Sequence, residues 1–410
     1  MSAVQQKPVA QPAGYVRVFA VPEFRAVFAA HTLSMLGVIV SEIALSVLVY
    51  DLTGSPLMSA LAFALGFLPY LVGGTLLSGV ADRFPARRVL VVCDLACAGC
   101  VALMALPGAH IAVLLALRCA LAVVSPVFAG TRMATLADIL GDGDLFVLGR
   151  SLLRIVAQSS LLVGYGLGGL LLTVVAPRHA LLITVGTFLA SAALLRLGTR
   201  RRPARAREAG NPRGARQVFA DRRVLVLLLL SWVPPMFSVA PEALAAPYAD
   251  ELGAGSAGLG LLMCALPVGT IAGEVFAGSR LRPVARERIA LPLVCLTLLP
   301  YLGYALHPGL PVSLLLLLLS GAGSAYTLGL DQWFVRDVPP ELRGRAMTVL
   351  SAGLMTIQGV GMALAGAAAE AVGVTATVAG AGALGALSCC ALAAAVRRTG
   401  APGDRKPRQS

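Results

Sequence analysis

Apolar runs of roughly twenty residues or more alternate along the chain with short polar segments rich in Arg, Pro and Gly. A helix needs ~20 mainly apolar residues to cross ~30 Å of hydrocarbon. Twelve runs meet that length, at approximately 25–49, 57–80, 88–107, 110–131, 150–175, 179–197, 223–249, 256–279, 288–306, 311–335, 345–370 and 373–396. Turn chemistry separates them at Asp51-Leu-Thr-Gly-Ser-Pro56, Pro107-Gly108, His307-Pro-Gly309 and Pro339-Pro340. The pattern predicts an all-α membrane protein of twelve transmembrane helices.

Charge placement orients these helices. Lys and Arg accumulate on the cytoplasmic side of a membrane. All but two of the 33 basic residues fall in alternate segments: the N-terminal tail, 82–88, 131–154, 196–223, 280–288, 336–345 and the C-terminal tail. The exceptions are Arg178, on an outer loop, and Arg118, inside a helix. One helix more or fewer would scramble this separation, so the count stays at twelve with both termini cytoplasmic. The organisation expected is a tail (1–24), a six-helix bundle (25–198), a linker (199–222), a second six-helix bundle (223–397) and a tail (398–410). The linker composition of Arg, Ala, Pro and Gly suits a flexible segment beside an anionic inner leaflet.

Composition agrees with the pattern. Of 410 residues, 58% are hydrophobic and 13% charged, with a mean hydropathy of +0.83, too apolar for a water-facing surface. The net charge of +13 sits in short loops rather than on one folded face, which argues against a nucleic-acid partner. The two lysines, Lys7 and Lys406, follow no glycine, so there is no phosphate loop and ATP is not expected as a direct energy source. All eight cysteines lie in apolar stretches. Cys93, Cys97 and Cys100 share a helix face without a His or carboxylate at ligand spacing and read as small packing residues. His31, His110, His179 and His307 are scattered, so no metal or cofactor is expected. The polar, Pro-rich first twenty residues lead us to expect no cleavable signal peptide.

The two halves repeat in parallel at an offset of about 200 residues. Asp51-Leu-Thr-Gly-Ser55 corresponds to Glu251-Leu-Gly-Ala-Gly-Ser256, with Glu42 and Glu242 preceding each loop. Gly149-Arg150 matches Gly344-Arg345, and Gly164-x-Gly166 matches Gly359-x-Gly361 fifteen positions later.

The loop after the second helix reads Ser78-Gly-Val-Ala-Asp82-Arg83-Phe-Pro-Ala-Arg87-Arg88. It resembles the Gly-x-x-x-Asp-Arg-x-Gly-Arg-Arg loop of the major facilitator superfamily, departing at Ser78, Pro85 and Ala86. The resemblance covers residues 20 to 398. It implies a gating role for Asp82, which would face a helix N-terminus, and for Arg83, Arg87 and Arg88, which would bridge acids such as Asp138. A topogenic Arg cluster alone is the simpler alternative. Pro339-Pro340-Glu-Leu-Arg343-Gly344-Arg345 resembles the loop before the eleventh helix, and with Leu-Val-Tyr-Asp-Leu-Thr-Gly-Ser it is similar to the siderophore-exporter and macrolide-efflux branch. Gly164-Tyr-Gly166-Leu-Gly168-Gly169 resembles the antiporter motif Gly-Pro-x-x-Gly-Gly, with Tyr165 in place of proline; read without the family, these glycines serve close helix packing.

The resemblance implies a secondary transporter working by alternating access between two bundles. Ionisable residues inside the spans are then the candidate coupling groups, because placing them there is costly. Glu42 and Arg118 lie at equal depth from the outer side and are expected to pair; the family places a fourth-helix Arg at the position of Arg118. Arg118 is read as the only basic side chain well inside the spans, which leaves Glu242 as the expected carrier of an exchangeable proton. Asp94, Glu274 and Asp331 are expected to pair with loop arginines. Trp232, Met236, Phe237, Tyr326, Gln158 and Gln358 are candidate lining for a substrate cavity near the Pro234-Pro235 break, with packing the alternative for each aromatic.

The expectation is a monomer that exports an amphipathic small molecule, such as an antibiotic or siderophore-like metabolite, against proton entry. An importer or uniporter is the alternative on the same fold. A membrane enzyme lacks a nucleophile–base pair here, and a non-transporting scaffold or sensor would have lost the intramembrane Glu and Arg. The Arg-heavy, Lys-poor, Ala-rich composition points to a high-GC bacterial source, hence an inner membrane.

Overall fold

The computed structural model describes residues 15–69, 84–141, 144–202, 222–337 and 340–398, and every regular element among them is helical. A short helix at Tyr15–Phe19 precedes the bundle. The N-terminal half contains α1 (Pro22–Thr53), α2 (Pro56–Ala64), α3 (Ala86–Met104), α4 (Ile111–Leu140), α5 (Asp144–Val174) and α6 (Pro177–Gly198). The C-terminal half opens with α7 (Arg222–Ser238), prolonged by the short helices Ala240–Ala243 and Ala245–Glu251. It continues with α8 (Gly255–Arg280), α9 (Pro283–Leu296, extended by the 3-10 turn Leu299–Leu306), α10 (Leu310–Gly323, resumed at Tyr326–Asp337), α11 (Pro340–Val372) and α12 (Val374–Arg398).

Ten helices among the described residues are long and apolar enough to cross a membrane. The other two expected spans fall short for identifiable reasons. The second, α2, runs into residues 70–83, outside the described residues, and α3 is 19 residues long with Arg87, Arg88 and Asp94 in it. Several helices outrun the apolar stretch that reveals them. α4 continues to Leu140 rather than ending near 131, because a helix persists beyond the bilayer where helix-forming residues and neighbouring helices support it. Leu170, Leu197, Phe276, Leu315 and Leu387 stand exposed on the surface, as a face bathed in lipid tails requires.

The hairpin between α1 and α2 shows how locally the chain is instructed. Gly54 ends α1 in the left-handed conformation (φ 63°) with its N–H on the Tyr50 carbonyl at 2.7 Å. Ser55 then caps α2, its Oγ accepting from the Met58 N–H at 3.2 Å, and Pro56 occupies the first helical position.

At their outer ends, meaning those opposite the Arg-rich loops, the halves are packed together. α5 packs on α8 and α2 on α11. Gly164 and Gly168 let α5 approach Ile39 and Ile43 of α1, while Gly166 faces Cys264 and Gly169 meets the Gly260 backbone of α8. On the other side, Gly359 abuts Ala64 and Leu68, and Gly366 abuts Leu57 and Ala60. Polar contacts close the rim: the Ser55 hydroxyl donates to Glu370, the Leu57 N–H to the same carboxylate at 3.4 Å, and the Tyr50 hydroxyl to Asp250 at 3.5 Å.

A Cβ on Gly169 would lie 2.5 Å from the Gly260 Cα, a backbone atom with no rotamer to yield. Gly169→Val is therefore expected to part the outer seam. Labelling of Cys264 by a membrane-impermeant maleimide, corrected with a Cys264→Ser control, should rise several-fold; unchanged labelling would show that the seam tolerates the side chain.

Candidate functional site

The site is built where α2 and α7 lose regularity. After Ala64, α2 tightens: the Gly66 N–H bonds the Phe63 carbonyl at 2.8 Å, so Ala62 lacks its usual helical donor. The Ala62 carbonyl instead accepts from Arg118 Nε at 3.2 Å. Arg118 Nη2 donates to Glu42 Oε1, with the two side chains only 5% and 14% exposed. The α1–α4 pair thus has its charge neutralised and its guanidinium held at two points.

Gly66 makes this placement possible. A Cβ there would fall 1.9 Å from Arg118 Nη2 and 2.7 Å from Cζ. Gly66→Ala is expected to displace the guanidinium and cost about 1–3 kcal/mol, the usual range for overpacking a filled interior. Thermal unfolding in detergent measures it; an unchanged melting temperature would mean that the Arg118 guanidinium has another place to go.

Pro234, Pro235 and Pro241 break α7 into a chain of short helices, since proline offers no backbone N–H and clashes with the preceding turn. The Ser238 carbonyl at the break accepts from the Tyr301 hydroxyl at 3.0 Å. Glu242 lies in the turn Ala240–Ala243 that follows, and its Oε1 accepts from the Tyr165 hydroxyl of α5. Tyr165 is 3% exposed. Among the described residues no cation pairs with Glu242.

A cavity of about 180 Å³ opens beside this contact, lined by Tyr165, Glu242, Met263, Leu266, Thr270 and Leu317 among others. It lies between α5 of one half and α7, α8 and α10 of the other. Further inward, Glu274 of α8 accepts from Thr327 of α10 at 3.4 Å, and Asp331 is exposed.

The proposed lining residues distribute differently. Trp232 donates Nε1–H to the Leu350 carbonyl at 3.0 Å and lies against Gly353. Phe237 packs on Gly385 of α12, Tyr326 is 3% exposed in the C-terminal core, and the Met236 carbonyl meets Gly361. None of these four lines the cavity beside Glu242; packing accounts for the three aromatics. Gln358 is half-buried next to the Gly359 contact, and the side chain of Gln158 lies outside the described residues. Asp82 and Arg83 also lie outside them, as do the side chains of Arg343 and Arg345. Arg87 donates to the Thr199 carbonyl at 3.1 Å, Arg88 lies 6.0 Å over the Phe84 ring, and Asp138 sits in the last turn of α4.

Two expectations need correction. Arg118 is not the only basic side chain deep in the bundle: Arg132 is 7% exposed, because α4 carries it past the predicted end of the span. It contacts His31 Nδ1 at 2.5 Å and stacks over Phe128 at 4.1 Å, while His31 Nε2 meets the Leu153 carbonyl at 3.3 Å. Asp94, expected to pair with a loop arginine, is 1% exposed and accepts from Ser191 at 2.6 Å and Ser34 at 3.4 Å, with Arg132 near enough to act on its charge but not in a direct ion pair. Short hydroxyls on α1 and α6 reach it where a loop side chain would have to enter the bundle. Tyr165, known from the sequence only as a departure from a motif, and Gly66 are the two functional residues that sequence reasoning does not assign. Their nearest signals were the tyrosine within the glycine run and the Gly66-Phe-Leu-Pro69 helix-breaking spacing.

The sequence profile of the Major Facilitator Superfamily matches residues 27–327 and 236–410. The chain belongs to this superfamily. A search of curated protein sequences returned no match. Solved transporter structures share the fold. A bacterial homologue of the human lysosomal transporter Spinster, inward-facing and unoccupied, superposes with a TM-score of 0.62 at 16% identity, over 91% of this chain and 94% of its own. The nucleoside transporter NupG gives 0.72 at 14% identity over 94% and 100%. A bacterial homologue of the iron transporter ferroportin, in an inward-facing state, gives 0.65 at 16% identity over 93% and 100%. The superpositions establish the fold, and with the superfamily match they make the chain a multi-pass membrane transporter of the major facilitator type.

Proposed function

We propose that the chain is a proton-coupled exporter of amphipathic small molecules in a bacterial cytoplasmic membrane, with Glu242 as the exchange site. One observation carries the reading. Of two intramembrane carboxylates related by the repeat, Glu42 is held by Arg118, whereas Glu242 faces a cavity and, among the described residues, bonds only the Tyr165 hydroxyl. A carboxyl with no counter-charge changes the character of the whole cavity when it gains or loses a proton, which is what coupling requires. Its position at the seam of α5 with α7 and α8 matters too. The contacts that surround it are those that alternating access must break and remake.

The Arg-rich segments support a cytoplasmic position for both termini, and the likeness of the α1–α2 and pre-α11 loops to siderophore and macrolide exporters favours outward transport. The test is efflux of a panel of dyes, antibiotics and siderophores from cells expressing the protein, with the proton gradient intact or collapsed by an uncoupler. Export that stops with the gradient supports the reading; export indifferent to it would leave facilitated diffusion in its place.

A further inference from the structure

We propose that the cavity beside Glu242 receives the ammonium group of a compact amphipathic amine, and that this cation and the transported proton exclude one another at the Glu242 carboxylate. The inference deepens the exporter reading and rests on it.

The donors and acceptors of the cavity select the ligand. Among the described residues three polar side chains line the cavity, those of Glu242, Tyr165 and Thr270. The Tyr165 hydroxyl spends its hydrogen on Glu242, and the Thr270 hydroxyl spends its own on the Leu266 carbonyl at 3.0 Å. What all three turn toward a ligand is therefore lone pairs. An ammonium brings three donors and no acceptor and matches that set; a carboxylate or phosphate brings only acceptors and would lie unpaired beside a carboxylate. The remaining walls, among them Leu161, Met263, Leu266 and Leu317, are apolar and suit a hydrocarbon or aromatic body.

Size narrows the class. About 180 Å³ is below the ~300–1,000 Å³ of pockets that enclose drug-sized ligands. The cavity therefore accommodates a small amine, or the amine-bearing end of a longer molecule. Two further carboxylates follow on the same helices. Glu274 lies one helical turn beyond Thr270 on α8, and Asp331 of α10 is close enough to act on its charge.

The charges around Glu242 leave it free for this role. Glu42 of α1 faces it but is neutralised by Arg118 of α4. Tyr165 of α5 and Tyr301 of the 3-10 turn are the phenols beside it, the latter bound to the Ser238 carbonyl. The apolar stretch of α12 has no ionisable side chain except cysteine, and the one carboxylate in the apolar part of α11, Glu370, is engaged by Ser55 at the rim. A proton or an ammonium satisfies Glu242, and the cavity has no second carboxylate for the other. Mutual exclusion is the condition for exchange.

The test uses the purified full-length chain in detergent with three probes of matched length: 4-phenylbutylamine, 4-phenylbutanol and 5-phenylpentanoate. Calorimetry reads binding, and a pH electrode in weak buffer reads proton release. The amine should bind at least tenfold more tightly than either analogue, release protons on binding, and weaken as pH is lowered. Glu242→Gln should abolish both the preference and the release. Leu266→Trp, which fills the cavity while keeping the carboxylate, should abolish amine binding even if the first variant does not fold.

Equal or tighter binding of the alcohol or the carboxylate, or amine binding without proton release, would overturn the inference. Gradient-driven export of anions with no export of amines would overturn it while leaving the exporter reading intact. Transport indifferent to the proton gradient would remove the reading on which it rests.

Discussion

Arg118→Leu is expected to destabilise the protein by about 3–5 kcal/mol, the usual consequence of stranding one partner of a buried ion pair. The geometry makes this site an unfavourable place to lose the cation. Glu42 is 14% exposed, and the same guanidinium supplies the donor that the Ala62 carbonyl lacks where α2 tightens. Two groups are orphaned at once. The double variant Glu42→Leu/Arg118→Leu should recover most of the loss, because an apolar pair needs no solvation, although Ala62 would remain unpaired. Unfolding midpoints of the wild type, the two single variants and the double variant in detergent form the cycle that checks it. Additive losses would show that the pair contributes nothing beyond its separate side chains.

Glu242→Gln is expected to reduce uphill export at least tenfold and to leave any residual transport insensitive to an uncoupler. Glutamine keeps the size and an oxygen for the Tyr165 hydroxyl to bond, so the α5–α7 contact should survive while the titratable group is lost. Normal expression and an unchanged unfolding midpoint would separate lost coupling from a lost fold. Retained gradient dependence would move the proton elsewhere in the bundle, with Asp94, 1% exposed among hydroxyls of α1 and α6, the next residue to change.

The architecture was legible because membranes impose simple rules. Span length, turn residues such as Gly54-Ser55-Pro56 and the segregation of arginine follow from local sequence. The turn residues have a direct structural counterpart in the capped hairpin between α1 and α2. The juxtaposition of Glu42 with Arg118 was legible for a related reason: charges are scarce in an apolar span, and equal depth leaves few ways to pair them.

Features that depend on the approach of distant helices left weaker traces. Tyr165 reads as a missing proline until α7 is seen to bring Glu242 against it. Gly66 is inconspicuous in an apolar run, and only the position of Arg118 shows that it clears space. Arg132 and Asp94 were misjudged because hydropathy marks where the bilayer ends, not where the helix or the bundle interior ends. The aromatics near the α7 break invited a cavity reading, yet Trp232 and Phe237 fill clefts opened by Gly353 and Gly385 on neighbouring helices. The glycines that accept them lie more than a hundred residues away in sequence, beyond the reach of any local pattern.

The most direct test of the central claim is proton movement itself. Purified protein in liposomes containing a trapped pH indicator would be given a transported compound from the efflux panel under an imposed substrate gradient. The account predicts a pH change in the wild type that accompanies substrate flux, runs opposite to it, and disappears in Glu242→Gln. Substrate flux with no proton movement in the wild type, or with the same proton movement in the variant, would contradict it.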